Sequence, residues 1–257
     1  MARLLLELGI KVVYVDSLPF MWSNKDAQTG KVPYNVDCYC AQKTIELNKQ
    51  SQEIFNKVKN LKWINPIVNP HLNKEIKIKD KNFILINLGG LHSPNTNGDS
   101  YINIVLKTLL TIYKDKHIII MTSTISKMRV QKLIDIFASN KIKVRTVSQE
   151  LFYNYIKKAD LFFTSPGLTT ILESSFLDVP VILLPPQNLS QFYNIEYAKK
   201  IFKEYKEISW NNKDLTLNGL SKYLSKDEHG VIEEINERID KLNNNIYKRE
   251  YLKYIQN

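Results

Sequence analysis

The sequence predicts an α/β protein with two parallel-sheet domains, and three observations carry that expectation. From residue 83 onward, short apolar runs alternate with amphipathic stretches at the spacing of strand–helix–strand units. Residues 159–194, ADLFFTSPGLTTILESSFLDVPVILLPPQNLSQFYN, run as strand, tight turn, helix, strand and polar loop. Ahead of both, prolines at 66 and 70 and a charged run over 74–81 separate a smaller first part from a larger second one.

In chain order, residues 1–8 have the pattern of the end of a helix, Gly9 is its stop, and 11–15 form a strand. Asp16-Ser17-Leu18-Pro19 ends that strand, and an aromatic group with Phe20 and Trp22 follows. Residues 26–33 have loop composition, 36–41 a strand pattern, 45–58 a helix or irregular connection, and 61–67 another strand. The expected division is a first domain over 1–70, a linker over 71–81 and a second domain over 82–257.

The second domain is expected to carry strands at 83–88, 117–122, 142–146, 161–164 and 180–184. The intervening helices fall at about 99–113, 127–139, 151–158 and 169–177. Helices over 191–205 and 215–224 and a charged amphipathic helix over 231–254 complete it. Such alternation places helices on both faces of a parallel sheet, and ligands of such sheets bind beyond the strands' carboxyl ends.

The net charge is +10, from 36 basic and 26 acidic residues. The lysines are scattered and interleaved with Glu, Asp and Asn, so a compositional bias toward Asn, Ile and Lys accounts for the charge better than a nucleic-acid surface does. The basic field would still help recruit a nucleotide diphosphate or an anionic membrane face. No apolar run reaches the length of a membrane-spanning helix, and no secretory signal pattern opens the chain. A cytoplasmic protein is expected.

The two cysteines, Cys38 and Cys40, alternate onto one face of a strand. Two buried thiols are the default, since a structural zinc site needs about two further ligands.

Within 159–194, Ala159, Asp160, Ser165, Gly167, Thr170, Glu173, Pro180, Pro185, Gln191 and Asn194 follow one another in an ordered string. Upstream, the apolar strand 83–88 runs into Gly89-Gly90. Both features resemble the donor-binding domain of GT-B glycosyltransferases, especially the MurG-like group. The segments VDSLPFMW, SPGLTTILE and LPPQNLSQ are similar, more narrowly, to cytosylglucuronate synthase-related proteins. The resemblance implies a GT-B-like fold of two Rossmann-like domains and transfer of a sugar from a nucleoside-diphosphate sugar, with uridine the usual base. It also implies an N-terminal domain without its opening strand–helix unit, because the chain starts inside a helix.

Several roles follow from the resemblance. Gly89 and Gly90 form a turn facing the diphosphate, while Ser165, Gly167, Thr169 and Thr170 present the helix N-terminus to it. Glu173 receives the ribose hydroxyls; the competing possibility is a capping box, because Thr170-Ile171-Leu172-Glu173 has that spacing. Gln187, Gln191 and Asn194 face the sugar hydroxyls, or else the Gln- and Asn-rich loop merely caps the helix behind it. Thr146 and Val147 are placed at the base by position alone. His92, with Ser93 beside it, is either a cation near the developing phosphate charge or a surface loop residue.

On the acceptor side Asp16 is the candidate general base near the interdomain cleft, with Trp22 or Tyr34 stacking an acceptor ring. The alternative is that Asp16 accepts the backbone N–H groups of Ser17 and Leu18 to start a turn. No D-x-D metal motif occurs, so the expected mechanism uses no metal and no cofactor beyond the donor. The acceptor is unassigned. A non-catalytic nucleotide-sugar-binding subunit needing a partner and a nucleotide-sugar epimerase are the rivals.

Overall fold

The computed structural model describes residues 2–89, 98–137, 139–220, 228–244 and 252–256. It contains two compact units, one over Met1–Ile67 and one beginning at Val68.

In the first unit, helix α1 (Ala2–Glu7) ends at Gly9, whose φ of +71° is the left-handed conformation that glycine adopts without a Cβ penalty. Strand β1 (Val13–Asp16) follows, then a 3-10 turn (Pro19–Met21) and α2 (Asn24–Gln28). The loop expected over 26–33 therefore begins as helix: Ser23 caps α2 and Asp26 closes a reciprocal capping box, a local signal inside a polar stretch. Strand β2 (Cys38–Gln42), helix α3 (Lys49–Phe55) and strand β3 (Leu61–Ile64) complete the unit.

The strands form a three-stranded parallel sheet in the order β1-β2-β3. One face is packed: Val12, Val36, Tyr39, Ala41, Phe55 and Val58 form a core against which Leu5, Leu6 and Tyr14 rest. Val13 and Val15 point from the opposite face and are 65% and 50% exposed. Leu4 and Leu8 are likewise exposed, whereas Leu5 is packed. Cys38 and Cys40 lie on that second face and are only partly buried, which corrects the expectation of buried thiols.

The second unit takes in the segment expected to be a linker. Leu72 is part of its core, and Val68 and Ile78 pack beside it. Asn154 accepts the Ile76 N–H and donates to the Lys74 carbonyl. Asp80 is held by Lys143 at 3.1 Å and by Arg145 at 3.0 Å, and it accepts the Tyr155 hydroxyl.

From there the elements run β4 (Phe83–Asn87), α4 (Gly98–Ile112), β5 (His117–Met121), α5 (Thr124–Asp135), β6 (Ile142–Arg145), α6 (Gln149–Lys158), β7 (Leu161–Thr164), α7 (Leu168–Phe176), β8 (Ile182–Leu183) and α8 (Leu189–Ile201). Strand β9 (Lys206–Trp210), α9 (Leu217–Leu220), α10 (Glu228–Asn244) and β10 (Leu252–Gln256) follow. The seven-stranded sheet has the order β10-β9-β8-β7-β4-β5-β6. All its neighbours are parallel except β10 with β9.

Strand β10 corrects the expectation of one helix over 231–254. The helix is described over Glu228–Asn244, and the last described segment is a strand that pairs with β9, with Leu252 opposite Trp210. Phe83, Leu85, Ile119, Met121, Phe162 and Leu183 meet Tyr153, Ile156, Ile171 and Ile195 of α6, α7 and α8 on one face. Ile84, Ile86, Ile118 and Ile120 are buried on the other, as expected of a parallel sheet covered on both sides.

Candidate functional site

Strand β4 has β5 on one side and β7 on the other, so the chain winds outward in opposite directions from this pair. A crevice opens beyond the carboxyl ends of such a pair, and in open α/β sheets ligands bind there. The residues that leave β4 and β7 are Gly89 and Ser165-Pro166-Gly167. Asn87 ties the two strand ends: its Nδ2 donates to Thr164 Oγ1 at 3.1 Å and its Oδ1 accepts the Gly89 N–H at 3.2 Å, while its carbonyl accepts the Ser165 N–H. Gly90, His92 and Ser93 lie outside the described residues.

Helix α7 starts at this point with its first-turn N–H groups open. Gly167 is its N-cap and supplies no side-chain cap, whereas Ser123, Ser148 and Asn188 cap α5, α6 and α8 through side-chain oxygens. Uncapped N–H groups and the positive end of the helix dipole favour an anion. Gly167 has an ordinary φ of −77°, and an added Cβ would meet no atom closer than the Ser165 carbonyl at 4.0 Å. Neither backbone conformation nor protein packing requires glycine here. Thr169 is exposed and Thr170 half-buried in the same turn. Because the helix begins at Leu168, Thr170 is inside it and the capping box with Glu173 does not form.

Glu173 is 3% exposed and faces α6. Its Oε1 accepts the Tyr153 hydroxyl at 2.6 Å and Gln149 Nε2 at 3.2 Å. Burial raises the carboxyl above its usual range, and the two hydrogen bonds oppose that shift. Tyr153 and Gln149 are partners that sequence reasoning missed, since their relation to Glu173 arises only when α6 and α7 pack side by side.

The loop after β8 supplies the remaining polar groups. Its backbone is pinned from beneath by buried donors: the Tyr101 hydroxyl to the Pro185 carbonyl and Trp210 Nε1 to the Pro186 carbonyl. Asn188 caps α8 through the Gln191 N–H, and Gln191 Oε1 accepts the Gln187 N–H at 2.9 Å, so these two side chains serve the helix start. Gln187 differs: it is 1% exposed and neither atom of its amide has a hydrogen-bond partner among the described residues. Asn194 Nδ2 donates to the Pro166 carbonyl at 2.9 Å, and its buried Oδ1 has no partner among the described residues. The Ser165 Oγ is buried near the Tyr101 hydroxyl without a hydrogen bond of ordinary geometry. Buried polar atoms are rarely left unpaired, so this group marks where a polar ligand would complete them.

Thr146 and Val147 follow β6. The Thr146 hydroxyl donates to the Thr122 carbonyl at 2.9 Å, and Val147 packs against the core. Among the described residues no group of three or more His, Cys, Asp or Glu side chains could hold a metal ion, and no helix is long and apolar enough to cross a membrane.

In the first unit Asp16 is buried and its oxygens are occupied. Oδ1 accepts the Leu18 N–H at 3.0 Å, and Oδ2 accepts the Tyr39 hydroxyl at 2.6 Å and Trp22 Nε1 at 2.7 Å. Of the turn-forming contacts, the one from the Leu18 N–H is present, and the Trp22 indole donates to the same carboxylate.

The fold is of the GT-B type, with Rossmann-like parallel sheets. The UDP-GlcNAc 2-epimerase of Methanocaldococcus jannaschii, solved with UDP-GlcNAc and UDP, superposes with a TM-score of 0.55 at 20% identity, over 94% of this chain and 71% of that one. Os79 from O. sativa, solved with UDP, gives 0.54 at 10% identity, over 94% and 74%. MnaA of S. aureus, also with UDP, gives 0.52 at 15% identity, over 95% and 69%. No family model matches the sequence, and no curated protein matches it.

Proposed function

We propose that the protein binds a nucleoside-diphosphate sugar at the carboxyl edge of its seven-stranded sheet and transfers the sugar to an acceptor. The observation that carries this reading is the open N-terminus of α7 at Gly167, flanked by the unpartnered buried amide of Gln187 and Oδ1 of Asn194. Helix amides stabilise the charge that grows on the departing diphosphate, a role a metal ion fills elsewhere. Gly89 lets the facing backbone approach the same phosphates. Glu173, held by Tyr153 and Gln149, accepts the ribose hydroxyls through the oxygen those residues leave open, and Gln187 and Asn194 meet the sugar. Solved neighbours that carry UDP or a UDP sugar support uridine as the base. In this reading the first unit serves the acceptor.

Because one such neighbour is an epimerase, epimerisation at the sugar is the second reading. Calorimetry with UDP and UMP tests the site: UDP is expected to bind at least tenfold more tightly, and equal affinity or no binding overturns it. Incubation with UDP sugars, followed by chromatography of the products, then separates the chemistries. Released UDP with a glycosylated acceptor supports transfer; a UDP sugar of altered configuration supports epimerisation and overturns it.

A further inference from the structure

The second face of the first unit's sheet carries chemistry that the nucleotide site does not use. Cys38 and Cys40 project from it side by side, with their Sγ atoms 3.6 Å apart. In a tetrahedral zinc thiolate site, Zn–S bonds of about 2.3 Å set neighbouring sulfurs about 3.8 Å apart. The two thiols therefore stand within a few tenths of an ångström of one edge of that tetrahedron. A disulfide fits less well: residues two apart on an extended strand have Cα atoms about 6.6 Å apart, near the limit that a bridge can span.

One chain supplies only half of such a site, because no third metal-binding side chain stands near the pair among the described residues. The face around it is only partly covered: Val13 and Val15 stand exposed on it, Lys62 shares it, and Gln42, next along β2, is buried. Val13 pairs with Cys38 and Val15 with Cys40 across β1 and β2, and both valines are largely exposed. Parallel sheets normally have both faces covered. A twofold axis through this face would set each dithiol against its own copy.

We propose that two copies of this chain meet on this partly covered face of the first sheet and share one Zn²⁺ held by Cys38 and Cys40 of each, with Val13 and Val15 packed around it. The four thiols release their protons to solvent on binding. Four thiolates around one Zn²⁺ leave two negative charges. Lys62, directly opposite Cys40 in the β2–β3 register, brings one positive charge from each copy to balance them. The Cys38 contact raises the Cys40 thiol, burial adds to this, and Lys62 acts in the opposite sense.

Light scattering with metal analysis on the full, reduced chain tests this, with zinc chloride as the probe. Zinc is expected to double the mass at one ion per two chains, and a chelator to reverse it. Co²⁺ is expected to give the intense near-ultraviolet absorption of a tetrathiolate site. Cys38→Ser and Cys40→Ser should stay monomeric in zinc. Val13→Lys, an exposed substitution that keeps both thiols and threatens no packing, should weaken the zinc dimer at least tenfold. The proposal is overturned by zinc that binds without a change of mass, by one ion per chain, by a dimer indifferent to chelator, or by absence of zinc binding. Should the serine variants unfold, stoichiometry and Val13→Lys decide alone.

Discussion

The Tyr153 hydroxyl donates to Glu173 Oε1 at 2.6 Å, joining α6 to α7 across 20 residues of sequence with both side chains buried. The contact holds the carboxylate of α7 against α6. It also makes Glu173 a group whose ionisation is coupled to folding.

Burial raises the folded-state pKa of Glu173 above the unfolded value of about 4.3. A raised carboxyl contributes stability below the unfolded pKa and loses that contribution as pH rises through the folded pKa. Glu173→Gln removes this dependence. Urea unfolding at pH 4 and pH 7 should show the variant gaining stability relative to the wild type as pH rises; an unchanged difference contradicts the burial account.

Asp80 behaves in the opposite sense. Burial disfavours its charge, yet hydrogen bonds from Lys143 and Tyr155 and the charge of Arg145 hold it below the usual range. Its contribution is present above the unfolded pKa of about 3.9 and is lost as pH falls through the folded value. Asp80→Asn should destabilise the protein at pH 7 and progressively less in acid, as read by the same unfolding series.

Glu173→Ala should weaken nucleotide binding by about 1–3 kcal/mol, the range for hydrogen bonds to a charged group. Tyr153→Phe should weaken it less, because the phenol positions the carboxylate and is assigned no contact with nucleotide. Calorimetry with UDP on both variants checks the order.

Gly167→Ala separates ligand from fold. With φ at −77° and open space at the Cβ position, alanine is unstrained, and its smaller unfolded-state entropy offsets its poorer N-cap, so the free protein's stability should change by less than about 1 kcal/mol. Diphosphate affinity should fall at least tenfold, because the added methyl occupies the approach to the helix amides. Thermal unfolding and calorimetry on one preparation read both effects, and undiminished affinity places the phosphates elsewhere.

Gln187→Met should leave the free protein as stable or more so, since an unpaired buried amide is replaced by an apolar chain of similar size. Affinity for a UDP sugar should drop while affinity for UDP changes little. Excess EDTA should leave UDP binding intact in every variant.

Much of the second unit was legible because periodicity is a local property. The buried run at β4, the break at Pro166-Gly167 and the helix behind it all follow from neighbours in sequence. Strands β9 and β10 were not legible: KEISW and LKYIQ mix charged with apolar residues, and their pairing joins segments more than 40 residues apart. The first unit's helix α2 was hidden for a different reason, since Ser23 and Asp26 stabilise a helix that has no buried residue.

For the site, the sequence by itself determined which residues leave the carboxyl ends of β4 and β7 and which helix begins there, because turn chemistry and strand period are written within a few residues. Only the tertiary structure decided what each side chain does. It gave Asp16 to Tyr39, Trp22 and the Leu18 backbone, Gln191 to the Gln187 backbone and Glu173 to Tyr153, while leaving the Gln187 amide unpaired. The reason is that hydrogen bonds among buried side chains are settled by how elements distant in sequence pack, and a buried polar atom takes whatever donor or acceptor that packing brings within about 3 Å.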